Sequence, residues 1–250
     1  MKKVLLGVVA LSMLGITAVS AATTKVNAAV FSAEQKTAIE QIVKKYLIAN
    51  PEIIRESIEN LQKKQQEEMQ KQAKVSLEKN KDLLFKDVNA PFEGKADASV
   101  VVVEFFDYQC GYCRKVYADV KKLLENDKDV KVIYREMPIM GELSIVASKA
   151  ALAANMQGKY AELHNAFMEA KEHFNEEKIY EMAKNVGLDV EKLKTDMQSK
   201  QVQDEIMLSQ KLFTDMGLRG TPAFVIGNEI IPGAIDYDSM QGLISSLRKK

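Results

Sequence analysis

Cysteine is almost absent from this chain, with two in 250 residues, at Cys110 and Cys113. A network of disulfide staples is therefore excluded. Histidine is equally scarce, at His164 and His173. A closed zinc site needs four ligands, and these histidines lie far from the cysteines at a spacing that suits no metal motif; both read as helix-surface residues. An excess of either charge is also missing: 35 basic residues balance 35 acidic ones. Nothing in that balance points to nucleic acid or to an anionic membrane surface. Long apolar runs are limited to Val4 to Val19, shorter than the roughly 20 residues of a membrane-spanning helix.

That run follows Met1-Lys2-Lys3 and ends in the small residues Val19-Ser20-Ala21-Ala22. A basic start, an apolar middle and a small-x-small end read as a cleavable secretory signal over residues 1–22, cut after Ala21 or Ala22, with Ala28 also fitting. No cysteine follows to carry a lipid anchor, and no membrane anchor is expected. Removing Lys2 and Lys3 leaves 33 basic against 35 acidic residues. Exported chains commonly use disulfides as staples; a single pair, three residues apart, reads instead as a pair that works on other molecules.

The pair sits in VVVVEFFDYQCGYCRKV, Val100 to Val116. The β-branched and aromatic run that opens it predicts a central strand buried on both faces. After the cysteines, Tyr117, Val120, Lys121 and Leu124 recur at helical spacing. Cys110 then falls at the start of a helix and Cys113 one turn later on the same face. Free N–H groups and the positive end of the helix dipole favour a thiolate at such a position. Cys110 is expected to be the nucleophile and Cys113 the resolving thiol that expels a trapped partner from a mixed disulfide. A structural disulfide or a pair of metal ligands are the alternatives. CxxC between a buried strand and a helix favours redox chemistry.

Elsewhere, Ser32-Ala33-Glu34-Gln35 is a capping box, followed by an apolar stripe of Ile39, Ile42, Val43, Tyr46 and Leu47. Asn50-Pro51-Glu52 stops that helix and caps a second, reaching about Asn80. Its stretch Gln62 to Lys74 is nearly all charge and amide. Too little apolar surface remains for core packing, so residues 32–82 read as a helical self-association region and linker, its polar stretch a strut. Leu83 to Phe85 is expected as a short edge strand, and residues 89–99 as a turn-rich lead-in. Val130 to Tyr134 predicts a strand parallel to the first, ended by Met137-Pro138. Residues 144–216 are helical in pattern, with Asn175 and Asp189 as caps and Gly187 and Gly217 as stops. Ala223 to Ile226 and Glu229 to Ile231 form a hairpin across Gly227-Asn228, and Tyr237 to Leu247 a closing helix.

The segment EFFDYQCGYC resembles the active-site segment of DsbA-like thioredoxin-fold proteins, particularly the oligomeric periplasmic branch of ScsC-like disulfide isomerases. Gly220 to Gly227, GTPAFVIG, is similar to that family's cis-proline loop. With this resemblance, the βαβ unit, helical insertion 144–216 and ββα ending read as an α/β thioredoxin fold over residues 83–250, preceded by the helical oligomerisation region. Glu104, inside the buried strand, should have its pKa raised by desolvation. The resemblance makes it a proton shuttle for the second thiol; it could instead reach water or a lysine. Gly111 and Tyr112 would tune the thiolate. Tyr112 replaces the histidine of the oxidases, which implies a weaker oxidant, or it forms an apolar rim for bound polypeptide. Thr221 resembles the residue found in isomerases, and Pro222 would place backbone groups beside an extended substrate near Cys110; a trans proline ending the loop is the alternative.

The resemblance thus implies an exported, periplasmic thiol-disulfide oxidoreductase, an oligomeric isomerase with oxidase capacity. Its partners would be unfolded or misfolded exported proteins, a membrane redox partner that resets the thiols, and other copies of the chain, as a dimer or trimer. No cofactor is expected. A dedicated oxidase and a Cu(I)-handling binding protein are the competing readings.

Overall fold

The computed structural model describes residues 31–170 and 175–249. The expected signal segment 1–22 and His173 lie outside the described residues. The chain divides into two compact units, one up to Asn60 and one from Leu61 onward.

In the first unit, α1 (Ala33–Ala49) begins with the capping box: Ser32 Oγ accepts from the Gln35 amide, and the Gln35 side chain accepts from the Ser32 amide. Neither α1 nor the first turns of α2 (Glu52–Lys79) buries a side chain among the described residues. Ile42, Tyr46, Ile54 and Ile58 are all exposed. Asn50 does not spend its side chain on α2, as expected, but donates its amide to the Tyr46 carbonyl at the end of α1.

The second unit is built on a five-stranded sheet in the order β1-β3-β2-β4-β5: β1 (Phe92–Gly94), β2 (Val100–Phe106), β3 (Val130–Glu136), β4 (Ala223–Ile226) and β5 (Glu229–Pro232). β2 and β3 are parallel and in register from Val100↔Val130 to Phe106↔Glu136. The remaining pairs are antiparallel. β2 lies at the centre, and its side chains divide between two cores. Val102 and Phe106 join α4 (Gly111–Asn126), α5 (Glu142–Asn155), α6 (Tyr160–Glu169), α7 (Glu176–Asn185), α8 (Val190–Asp196) and α10 (Tyr237–Arg248) on one face. Val103 and Phe105 meet Leu77 of α2, Leu84 of α3 (Lys81–Phe85), and Leu212 and Phe213 of α9 (Lys200–Asp215) on the other. Burial on both faces explains why the run shows no polar alternation.

Two expectations near the N-terminus of this unit are overturned. Leu83 to Phe85 is the short helix α3, not a strand: Leu84 is fully buried and the Leu83 carbonyl accepts from the buried Arg135 guanidinium. The lead-in contains the strand β1, held antiparallel to β3. Gly94 ends β1 with φ +93°, so close to β3 that a Cβ would collide with the Val130 carbonyl. The helical insertion is as expected: Asn175 and Asp189 cap α7 and α8, and Gly187 and Gly217 stop their helices at positive φ.

Candidate active site

Cys110 and Cys113 lie where β2 hands over to α4. Cys110 is the N-cap, with extended backbone, its amide donating to the Asp107 carbonyl at 3.0 Å and its carbonyl accepting from Arg114 N at 3.1 Å. Its thiol donates to the Thr221 carbonyl at 3.2 Å. The Thr221–Pro222 peptide is cis, and the two motifs, 111 residues apart in sequence, meet at the Cys110 sulfur. Cys110 is 5% exposed and Cys113 fully buried. Burial pushes the Cys113 thiol far up, with Glu104 and Cys110 adding to the rise. Both cysteines are free thiols here. Tyr112 is 68% exposed beside them, and the space around Gly111 is open.

Glu104 is 2% exposed on β2, opposite Tyr134 on β3. Its Oε1 has no hydrogen-bond partner. Desolvation, with Glu136 and Glu93 nearby, pushes its pKa up to about 8, as burial alone predicts. Among the described residues no lysine pairs with it, and its burial keeps it from water.

Reasoning from sequence missed three groups. The first is Asp107, fully buried, whose carboxylate accepts from Gln109 N (2.8 Å), Ser144 Oγ (2.7 Å), Ile139 N (2.8 Å) and Met140 N (3.0 Å). It fastens the loop before Cys110 to the β3–α5 loop. An Asp two residues ahead of a turn amide, straight after a buried strand, is the local signal that could have found it. The second is Glu136, 1% exposed, accepting from Tyr108 Oη (3.0 Å), Tyr160 Oη (2.8 Å) and Ser148 Oγ (2.7 Å). Burial raises its pKa to about 8 against the pull of those hydroxyls. The third is His164, expected on a helix surface but only 1% exposed. It stacks on Tyr160, with its Nδ1 at 3.1 Å from Tyr108 Oη. Burial lowers its pKa to about 3, so it is neutral. Since the Tyr108 hydroxyl proton goes to Glu136, Nδ1 is the donor in that contact. Its apolar neighbours Leu163 and Phe167 on α6 already hinted that this helix is covered on more than one side.

Among the described residues no group of three or more His, Cys, Asp or Glu side chains gathers as a metal site. A dithiol at the start of a helix, facing a cis Thr-Pro peptide on a thioredoxin sheet with a helical insertion, defines the molecule as a thioredoxin-fold redox protein.

Comparison with known proteins gives the family. Residues 101–245 match the DSBA-like thioredoxin domain, and residues 35–68 the copper resistance protein ScsC N-terminal domain. The chain belongs to the DsbA-like family of thiol-disulfide oxidoreductases. A thioredoxin-like oxidoreductase from Silicibacter pomeroyi is 43% identical with TM-score 0.67, covering 68% of this chain and 99% of that one. Proteus mirabilis ScsC in a transitional conformation is 32% identical with TM-score 0.64, covering 89% of this chain and 99% of that one. A probable disulfide bond formation protein D of Bacillus cereus is 29% identical over 171 residues, 63% of this chain and 78% of its own length. The chain also spans 24% of the length of the Na(+)/H(+) antiporter NhaA 3 of Salinispora tropica, at 23% identity over 155 residues.

Proposed function

We propose that this chain is an exported, periplasmic and homo-oligomeric disulfide isomerase with oxidase capacity, acting on cysteines of folding proteins. The observation that carries the reading is the asymmetry of the pair: Cys110 at the helix start against the Thr221 carbonyl, and Cys113 fully buried with its proton held by burial. In isomerisation the Cys110 thiolate attacks a client disulfide and forms a mixed disulfide, while the other client sulfur leaves and takes a proton. A client thiolate then re-forms the correct bond and releases Cys110. If the client stalls, Cys113 gives its proton to Glu104 and attacks Cys110. That closes the Cys110–Cys113 disulfide and expels the client as a thiol; a membrane redox partner then re-reduces the pair. Oxidation of a dithiol client runs these steps in reverse.

Exposed Tyr112, Ile139 and Met140 supply an apolar rim near the dithiol, with the last two tied to the Cys110 loop through Asp107. Oligomerisation is supported by the exposed stripe of α1 and early α2 and by the match to the ScsC N-terminal domain over 35–68. The test is deletion of residues 32–60; the catalytic domain of Proteus mirabilis ScsC has a structure of its own at 30% identity. The truncated protein should lose reshuffling of scrambled disulfides while keeping dithiol oxidation. Equal reshuffling by both forms would overturn the oligomeric isomerase reading. Resting Cys110 and Cys113 found oxidised in cells by thiol trapping would make the chain a dedicated oxidase. Tight Cu(I) binding with no action on disulfides would make it a copper-handling protein.

A further inference from the structure

Glu104 and Glu136 lie on the same face of adjacent parallel strands. Glu104 is in register with Tyr134 and Phe106 with Glu136, so the two carboxylates stand one pleat apart, roughly 8 Å between backbones by strand geometry. Both are buried in the same core and neither is salt-bridged. Two like charges this close, cut off from water, resist being ionised together.

Their hydrogen bonds decide which one holds the charge. Glu136 accepts from three hydroxyls, those of Tyr108, Tyr160 and Ser148, and such donors stabilise a carboxylate anion. Glu104 Oε1 has no donor, so Glu104 is the member better suited to carry a proton. The groups facing Glu104 are Glu136 and Tyr134 on β3, Glu93 on β1, and Cys113 on α4. Those facing Glu136 are Tyr108 and Asp107 from the loop before Cys110, Ser148 from α5, and Tyr160 from α6, with His164 reached through Tyr108. Lys121 of α4 acts on Glu93 at the rim of this cluster.

We propose that Glu136 is a positioning residue for protons: with three donors it is the member of the buried pair that ionises first, so its charge holds the proton on Glu104 and sets the pH at which Glu104 can accept the proton of Cys113. This rests on the shuttle role given to Glu104 above. The step it governs is the resolving one: the Cys113 S–H proton passes to the Glu104 carboxylate, and the Cys110–Cys113 bond forms as the Cys110–client S–S bond breaks. The client sulfur leaves as a thiolate that takes a proton from water. In this step the Cys113 sulfur is oxidised from thiol to disulfide level, the client sulfur is reduced from disulfide to thiol level by the same amount, and the Cys110 sulfur stays at disulfide level.

The experiment loads Cys110 of the full chain with glutathione as the mixed disulfide and follows glutathione release from pH 5 to 9. Glu136→Gln should move the midpoint of the rate profile to lower pH by about one pH unit, because a like charge has been removed from beside Glu104. Tyr160→Phe keeps the carboxylate and almost all the buried volume while removing one donor, and should move the midpoint the same way by less. In a Glu104→Gln background the profile should be flat and Glu136→Gln should change nothing further. Midpoints in Glu136→Gln and Tyr160→Phe equal to wild type would overturn the inference; if Glu136→Gln does not fold, Tyr160→Phe alone decides. A Glu104→Gln variant that keeps the wild-type midpoint would instead sink the shuttle role of Glu104 itself.

Discussion

At the scale of single residues, the two thiols differ because their surroundings differ, and each should fail in its own way when changed. Cys110→Ser should abolish disulfide exchange. Cys113→Ser should keep the attack but lose resolution, so mixed disulfides with clients accumulate and are seen on non-reducing gels after acid trapping. Equal loss without trapped complexes would reverse the two roles. The titrating residues around them make a second prediction. Glu104 and Glu136, raised to about 8 from 4.5, bind more protons folded than unfolded, so stability is lost as pH rises through that interval. His164, lowered to about 3 from 6.5, has the opposite sign and costs stability as pH falls below 6.5. Between pH 6.5 and 8 only the carboxylates act. In that window the urea midpoint of the wild type should fall with rising pH, and Glu104→Gln should flatten the fall. The positions of Cys110 and Cys113 at the start of a helix and the burial of Glu104 were legible in the sequence because each stands inside a strong local pattern. Asp107, Glu136 and His164 were not: their meaning comes mostly from partners 12 to 56 residues away, and an isolated polar residue at the end of a strand or on a helix looks the same in sequence whether covered or exposed.

At the scale of elements, strands and helices with their own periodicity were readable, whereas short elements set by tertiary contact were not. β2, β3, the β4–β5 hairpin and α10 stand where apolar spacing and the Gly227-Asn228 turn place them. α3 and β1 were misread because segments of five and three residues are too short to show a period. What fixes α3 is instead Arg135 of β3, fully buried and paired with Asp87 at 2.9 Å and Glu205 of α9 at 3.3 Å while it donates to the Leu83 carbonyl. Removing one member of such a cluster strands the opposite charges in a poorly solvated place. Arg135→Ala should cost about 3–5 kcal/mol in urea unfolding, with loosening reported first by hydrogen exchange in α3. A loss below about 1 kcal/mol would mean that α3 is held by Leu84 alone. At the site, the same logic applies to the loop clamp: Asp107→Ala orphans four donors and should cost about 2–4 kcal/mol, and it should also slow Cys110 reactions by releasing the loop that carries it.

At the scale of the whole molecule, the sequence separates what the catalytic unit needs from what it does not. Among the described residues every strand, both cores and both halves of the redox site lie between Leu61 and Arg248. Leu77 lies in a mostly polar helix, and only the folded core reveals that it is buried. The unit up to Asn60 has no core of its own among the described residues, yet it carries Ile39, Ile42, Val43 and Tyr46 exposed along α1 and Ile54 and Ile58 along α2. Helices with an apolar stripe and nothing beneath it bury that stripe against a partner or leave it to aggregate. On the proposed self-association, the stripe would meet the same stripe of a second copy in an assembly closed by point symmetry. Ile42→Glu together with Ile54→Glu should therefore convert the proposed oligomer to a monomer by sedimentation velocity without moving the thermal midpoint of the second unit, since both side chains are exposed. Alkylation of Cys110 and oxidation of a small dithiol peptide should continue at the wild-type rate, because they need only one dithiol. Reshuffling of a scrambled multi-disulfide client should fall by an order of magnitude or so, since holding such a chain while one site repeatedly attacks it draws on the effective concentration that linked sites provide. A double variant that stays oligomeric would move the association surface elsewhere on the chain. One that is monomeric yet reshuffles at full rate would show that isomerisation belongs to the single dithiol and its apolar rim.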